Sequence, residues 1–337
     1  MMCDAMGFIN KNGLDIVLTV NNFNLINKTD ETIEKYSSAR CHALRMNFAK
    51  SEEINTLLSI LLKAKNTLNK KIILDFPFPK AKPRIFMKKG NELIIKNNEY
   101  YMCSINEKDT EEFLWIDSYS HKIPLLEGQT IYYGDGEGMF IVEKVDLKNC
   151  ICILRANNDF SIINGKSINI NVLINMFDNY DSFLGITQEI APEMIAFSFV
   201  ENGKDISQIK KHFNLASNIL LMSKLETNVS MMNVDEISSE SDALMLGRGD
   251  LGIYSDFHKV GIYQNIVMQK YNMKTYIATD VLDSLRYKRM PSRSDIADLT
   301  QIIFGKAAGV VLSAGIENFE DAIDVIRRIE QEGKGNS

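Results

Sequence analysis

Three short segments hold most of the side chains that could do ionic chemistry: Lys224-Leu225-Glu226, Gly247-Arg248-Gly249-Asp250-Leu251-Gly252, and Arg45-Met46-Asn47. Each closes an apolar run, as do Asp75, Ser198 and Thr279. Two carboxylates, Glu226 and Asp250, could hold a hard divalent cation, which prefers carboxylate oxygen. Lys224 and Arg45 could neutralise an anionic substrate beside it. Every piece also has a plain structural reading. Lys-x-Glu after a strand can be a solvated turn, and Arg45 a buried ion-pair partner. Asp250 and Thr279 could each do no more than cap a helix, with the second helix starting at Asp280. What favours chemistry is that all of them collect where apolar strands stop.

Other chemistries lack their residues. The five cysteines include no CxxC pair, and Cys150 and Cys152 lie within an apolar run. They read as reduced, buried thiols and not as a disulfide or zinc framework. The four histidines show no metal-binding pair at helical spacing and no GxSxG elbow accompanies them. The spacing of GRGDLG does not meet the dinucleotide GxGxxG pattern. A net charge of −6 speaks against nucleic acid as the partner. No run approaches the roughly 18 apolar residues of a membrane span, and the N-terminus lacks the pattern of a secretory signal. The expectation is a cytoplasmic protein with no membrane partner.

The elements that must position these residues alternate. Strands are expected at Asp15–Val20, Ala43–Asn47, Lys71–Asp75, Met194–Phe199, Asn218–Ser223, Ala243–Gly247, Lys274–Ala278 and Gly309–Ser313, with helices starting near Lys28, Ser51, Asp205, Val229, Asp256, Asp280, Ser294 and Asn318. Ser51 followed by Glu52 and Glu53 reads as an N-cap with acidic residues on a first turn. Eight strand–helix units define an α/β fold, a (β/α)8 TIM barrel, whose active site lies at the C-terminal strand ends. Between residues 88 and 169 the alternation stops and β-rich segments such as ELIIK, EYYMCSI, TIYYGDG and MFIVEKV follow one another. This is expected to be a small β-barrel lid domain inserted after strand three. Removing those 82 or so residues from 337 leaves about 255, close to the ~250 of such barrels. The domain reading is therefore 1–87 with 170–337 for the barrel, and 88–169 for the insertion.

Taken in order, Ala43-Leu44-Arg45-Met46-Asn47-Phe48, Ile73-Leu74-Asp75, Ser223-Lys224-Leu225-Glu226, Gly247–Gly252, and Ala278-Thr279 followed by Pro291-Ser292-Arg293 resemble the pyruvate kinases along almost the whole chain. The resemblance implies that Glu226 and Asp250 hold Mg²⁺ or Mn²⁺. It also implies that Lys224 stabilises the transferring phosphoryl group and the enolate, with Arg45 and Arg84 on phosphate oxygens. Backbone N–H groups at Gly249, Asp250 and Leu251 would take the substrate carboxylate. Thr279 would lie at the proton-transfer face, and Ser198 ends strand four in the same site. Phosphoenolpyruvate or pyruvate is the implied substrate, with a nucleotide as candidate partner and room for a homo-oligomer through the barrel.

The departures fall on one half of that site. Thr19-Val20-Asn21-Asn22, Asn47-Phe48-Ala49-Lys50 and Ser313-Ala314-Gly315-Ile316-Glu317-Asn318 differ from the family's nucleotide-side segments. Asn47, Asp75 and Lys82 read as the remnant of a monovalent-cation site. Lys82 stands where many family members have a glutamate, so potassium is not expected to be required. On this reading the family's C-terminal regulatory domain is not expected after the eighth barrel helix. The leading expectation is a metal-dependent phosphotransferase with an altered acceptor site. A pyruvate-enolate lyase or aldolase without nucleotide, and a catalytically silent binding paralog, are the alternatives.

Overall fold

The computed structural model describes residues 13–20, 34–36, 38–48, 54–68, 70–90, 92–105, 114–118, 123–134, 136–170, 173–176, 180–213, 218–316 and 318–335. The helix expected near Lys28 and the cap at Ser51 lie outside them. The chain divides into two compact units, Met1–Pro79 with Phe177–Ser337, and Lys80–Met176.

Eight parallel strands, in the first unit but for the last two residues of the third, at Asp15–Val20, Ala43–Asn47, Lys71–Ala81, Met194–Ser198, Leu220–Leu225, Ala243–Gly247, Thr275–Ala278 and Gly309–Leu312, pair in sequence order. The eighth pairs with the first, through Asp15 opposite Gly309 and Leu18 opposite Leu312, so the barrel is closed. Both faces of these strands are buried, which is why they read as continuous apolar runs. Every second residue points inward. Val17, Ala43, Ile73, Ala196, Met222, Met245, Tyr276 and Val311 form one interior cluster drawn from all eight strands. The outward residues Phe76 and Phe78 pack with Phe197 and Phe213 at ring-centroid distances of 5.2–6.4 Å.

Helices follow the strands. Thr227 and Ser292 each close a capping box, with Ser230 and Asp295, at the starts of Asn228–Met232 and Arg293–Phe304. The helix Gly203–Phe213 has Asp205 in its first turn and Lys210, Lys211 and His212 in its last, as its dipole favours. Two expectations need correcting. Strand three continues past Asp75 to Ala81, through Pro77 and Pro79, with a register shift where Ser198 meets Pro79. The helix expected near Asp280 is only a short 3-10 turn at Asp283–Arg286, because Thr279, Asp280 and Leu282 all have φ between 54 and 70°. That left-handed run cannot propagate a right-handed helix, so Thr279 is not a helix cap.

The second unit contains a closed barrel of seven strands, from Arg84–Met87 to Lys166–Asn169, with a separate antiparallel pair, Glu92–Ile95 and Phe160–Ile163. Residues 80–87 and 170–176 group with it, since Arg84–Met87 pairs antiparallel with Leu114–Asp117 and Lys166–Ser167. Its core is aliphatic, with Tyr133 and Phe140 fully buried. Phe86 stacks on Trp115, the single tryptophan, at 4.5 Å.

At the N-terminal strand ends, His42 Nδ1 accepts the Ile16 N–H at 2.9 Å, and the Arg327 guanidinium lies 3.2 Å from Nε2. A ring that accepts at Nδ1 cannot be doubly protonated. Burial, and then Arg327, push the His42 pKa down to about 4 from an ordinary 6.5. Between those values the unfolded chain binds a proton that the folded ring refuses, so stability falls as pH drops through that window. Lowering pH from 7 to 4.5 should cost about 2 kcal/mol through this one residue. In His42→Asn, whose Oδ1 can accept the same N–H, urea titrations should show an acid loss smaller by that amount; identical losses would rule out His42 as the cause.

Candidate active site

The interior parity of the strands carries over to their C-terminal ends. Two residues beyond interior positions Val17, Ala43, Ile73, Ala196 and Met222 stand Thr19, Arg45, Asp75, Ser198 and Lys224. Glu226 follows two further on. The sequence therefore points five strands' polar residues into one mouth.

Asp75, fully buried, is the hub. Its Oδ2 accepts Arg45 Nε at 2.8 Å and Nη2 at 2.6 Å, and its Oδ1 lies 3.2 Å from Lys224 Nζ. Arg45 Nη1 donates to Thr19 Oγ1 at 2.8 Å. Lys224 Nζ also donates to Ser198 Oγ at 3.0 Å and pairs with Glu226 Oε1 at 3.0 Å. Glu226 Oε2 accepts the Phe199 N–H at 3.0 Å. Asn47 is half-buried at the end of strand two, in register with Asp75.

Burial pushes the Asp75 carboxyl up, but Lys224 and Arg45 outweigh it and hold the pKa below its ordinary value. Burial likewise disfavours the Lys224 ammonium, and the carboxylates of Asp75 and Glu226 more than restore it. Glu226 moves the other way. Its pKa is raised by burial, and the charges of Asp250 and Asp75 add to that against the pull of Lys224. The site carries more negative charge than its two cations balance.

Asp250 sits half-buried in the first turn of a seven-residue helix, Arg248–Tyr254, with Gly249 and Leu251 on either side. The N-cap is Gly247, without a side-chain cap, so Asp250 does not cap this helix. A Cβ at Gly247 would stand 2.8 Å from Glu226 Oε1, so only glycine lets strand six pass the buried carboxylate. Arg248 donates from Nε and Nη2 to the Thr279 carbonyl at 2.9 and 2.7 Å and from Nη1 to Asp298 at 2.7 Å and Gln264 at 3.1 Å. It fixes the left-handed turn that presents Thr279. Tyr254 packs edge-on against Phe199 at 5.5 Å, and its hydroxyl oxygen, though buried, makes no hydrogen bond among the described residues.

Arg84 and Lys82 fall in the second unit, where Arg84 Nη1 donates to the Gly165 carbonyl at 2.9 Å. The barrel thus brings together Arg45, Asp75, Ser198, Lys224 and Glu226. Asn21, Asn22, Ala49 and Lys50 lie outside the described residues. Sequence reasoning missed Thr19, Arg248 and Tyr254. Inward parity would have found the first. Arg248 stood inside the glycine motif but its partners, Gln264 and Asp298, carry no local signal.

Among the described residues no group of three or more His, Cys, Asp or Glu forms a metal cage. A magnesium-type ion needs none, because it takes one or two carboxylates and fills its other positions with water and substrate oxygens. Glu226 and Asp250 are hard oxygen donors, and the helix that carries Asp250 ends in Tyr254, whose buried hydroxyl has no hydrogen bond among the described residues. That set fits Mg²⁺ or Mn²⁺.

A closed barrel of eight parallel strands whose C-terminal mouth concentrates carboxylates, a lysine and an arginine defines an α/β enzyme-type fold with an ionic site. The family described as "Pyruvate kinase, barrel domain" matches residues 14–319, and the chain belongs to the pyruvate kinase family. It is similar to the pyruvate kinase of Clostridium acetobutylicum, at 27% identity over 91% of this chain and 68% of that protein. It is similar also to that of Thermococcus litoralis, at 26% over 85% of this chain and 62% of that protein, and to that of Mycoplasma pneumoniae, at 31% over 51% and 36%. Against the last, the matched segment spans about a third of the relative's length.

The Asp75 hub sets a stability prediction. Asp75→Asn would leave two buried cations short of their shared anion, a change that typically costs about 3–5 kcal/mol. Denaturant unfolding should show that loss, and a cost below about 1 kcal/mol would mean the cations are hydrated instead.

Proposed function

We propose that the barrel binds phosphoenolpyruvate or pyruvate and transfers a phosphoryl group between the substrate's enolate oxygen and an acceptor. The observation that supports this most is the position of Lys224. It is a buried ammonium held among Asp75, Glu226 and Ser198 at the mouth of a pyruvate kinase family barrel. Glu226 and Asp250 would hold Mg²⁺ or Mn²⁺. When bound, such an ion supplies Lewis-acid charge to the substrate's carboxylate and enolate oxygens.

The chain's own residues carry the remaining work. Asp75 keeps Lys224 protonated and aimed, so the ammonium is ready for negative charge as it develops on the bridging oxygen. Arg45 is fixed by Asp75 and Thr19 and presents a guanidinium suited to phosphate oxygens. When the P–O bond breaks, the phosphoryl group passes to the acceptor and the enolate remains. A proton delivered to its methylene carbon from the Thr279 side gives the methyl group of pyruvate. Ser198 braces Lys224, and Gly249, Asp250 and Leu251 stand beside the carboxylate end. A cytoplasmic setting fits the reduced thiols, and the nucleotide-side departures leave the identity of the acceptor to experiment.

Exchange of pyruvate methyl protons into deuterated water tests this reading without knowledge of the acceptor. With Mg²⁺ or Mn²⁺ and a phosphate analogue, wild type should exchange. Lys224→Met should slow exchange by about 10²–10³, the usual cost of one preorganised charge. No exchange by wild type with any divalent ion would leave the silent-paralog alternative standing.

Potassium provides a separate check. Arg45 and Lys224 already saturate Asp75, and Lys82 adds charge in the sequence segment where the family's monovalent site is expected. Rates in sodium, potassium and tetramethylammonium salts should agree. Marked activation by potassium alone would show that Asn47 and Asp75 still bind the ion.

A further inference from the structure

Tyr254 has the arrangement of a group waiting for an oxygen. It lies one turn after Asp250 on the helix Arg248–Tyr254, so the two side chains share a face. Its ring meets Phe199, whose backbone N–H is bonded to Glu226. The phenol is thus tied by the helix to one carboxylate of the candidate cation site and by packing to the other. Its hydroxyl is out of water and without a partner among the described residues. Buried polar groups nearly always have partners, and an orphan at a functional site calls for a cause. The charged groups acting on it are Asp250, Glu226 and Glu201, all of them carboxylates. Glu201 is itself engaged, accepting from Thr227 Oγ1 at 3.1 Å.

We propose that Tyr254 is a positioning residue whose hydroxyl donates to a water or substrate oxygen filling the remaining positions of the divalent cation at Glu226 and Asp250. The proposal rests on the cation reading given above. A phenol cannot replace a carboxylate as a ligand, but it can orient one of the oxygens that complete the shell. Outer partners of this kind typically change metal affinity by about 10–100-fold.

The test is Tyr254→Phe, read by binding of Mn²⁺ alone, through electron paramagnetic resonance of the free ion, and by urea unfolding without metal. A merely structural tyrosine would lose stability and leave Mn²⁺ affinity unmoved. The expectation is the reverse. The metal-free variant should be at least as stable as wild type, having lost an unpaired buried hydroxyl, and should bind Mn²⁺ about tenfold more weakly or worse. Equal Mn²⁺ affinity in the two proteins overturns the role of Tyr254 and leaves the cation reading intact. A metal-free variant that is destabilised or unfolded also overturns it, since the hydroxyl would then have a structural partner. Folded wild type that binds no Mn²⁺ overturns the proposal together with the reading beneath it.

Discussion

One fully buried carboxylate, Asp75, makes the barrel mouth a single object. An uncompensated charge there would be costly, and the two cations that relieve it come from strands two and five. Arg45 then reaches back to Thr19 on strand one, and Lys224 reaches Ser198 on strand four. Five neighbouring strands are thereby locked in side-chain register at their C-terminal ends, in addition to their backbone ladders. Charge counting shows what this leaves. Asp75, Glu226 and Asp250 contribute three negative charges against two positive ones, a surplus of one. Glu226, fully buried and facing the charges of Asp250 and Asp75, has its pKa raised against the pull of Lys224. On the proposed reading a divalent ion would convert the net −1 into +1, and the mouth would then favour a phosphate-bearing anion.

How far this was legible in the sequence follows from the range of each interaction. Strands such as Asp15–Val20, Ala43–Asn47 and Ala243–Gly247 lie where their apolar runs placed them, because burial on both faces writes itself directly into composition. Arg45, Asp75, Ser198 and Lys224 were visible as polar residues closing apolar runs, whereas Thr19, inward by the same parity, was passed over. Strand three was harder. Pro77 and Pro79 argue for an end, since proline lacks a ladder donor. Yet Phe76 and Phe78 are anchored outside the barrel by Phe197 and Phe213, and the strand runs on to Ala81. Aromatic packing across about 120 residues outweighed a local rule.

The turn after strand seven was illegible for a different reason. Thr279 and Asp280 followed by Val281, Leu282 and Leu285 look like a capped amphipathic helix start, and no local pattern announces left-handed backbone in a β-branched residue. Such a conformation costs roughly 1–2 kcal/mol per residue and persists only where the surroundings over-determine it. Here the surroundings are Arg248, whose two bonds to the Thr279 carbonyl are charge-assisted and therefore strong. Arg248 is in turn held by Asp298 and Gln264 from two other helices.

That brace has a consequence for the whole mouth. Arg248 begins the helix that carries Asp250 and Tyr254, and its side chain grips the turn that carries Thr279. Gly247, just before it, allows the strand to pass within contact of Glu226. Three segments, the end of strand six, the start of its helix and the turn after strand seven, are therefore fixed relative to Glu226 by one glycine and one guanidinium. The carboxylate pair and the Thr279 face have no independent freedom. A displacement large enough to spoil the cation's ligands would also have to break the four hydrogen bonds that hold the Arg248 guanidinium to three partners, and release a strained turn. Such coupling favours one discrete arrangement over a continuum, as close-packed interiors generally do. It also explains why the residues of this mouth read as separate weak motifs in sequence and act as one in space.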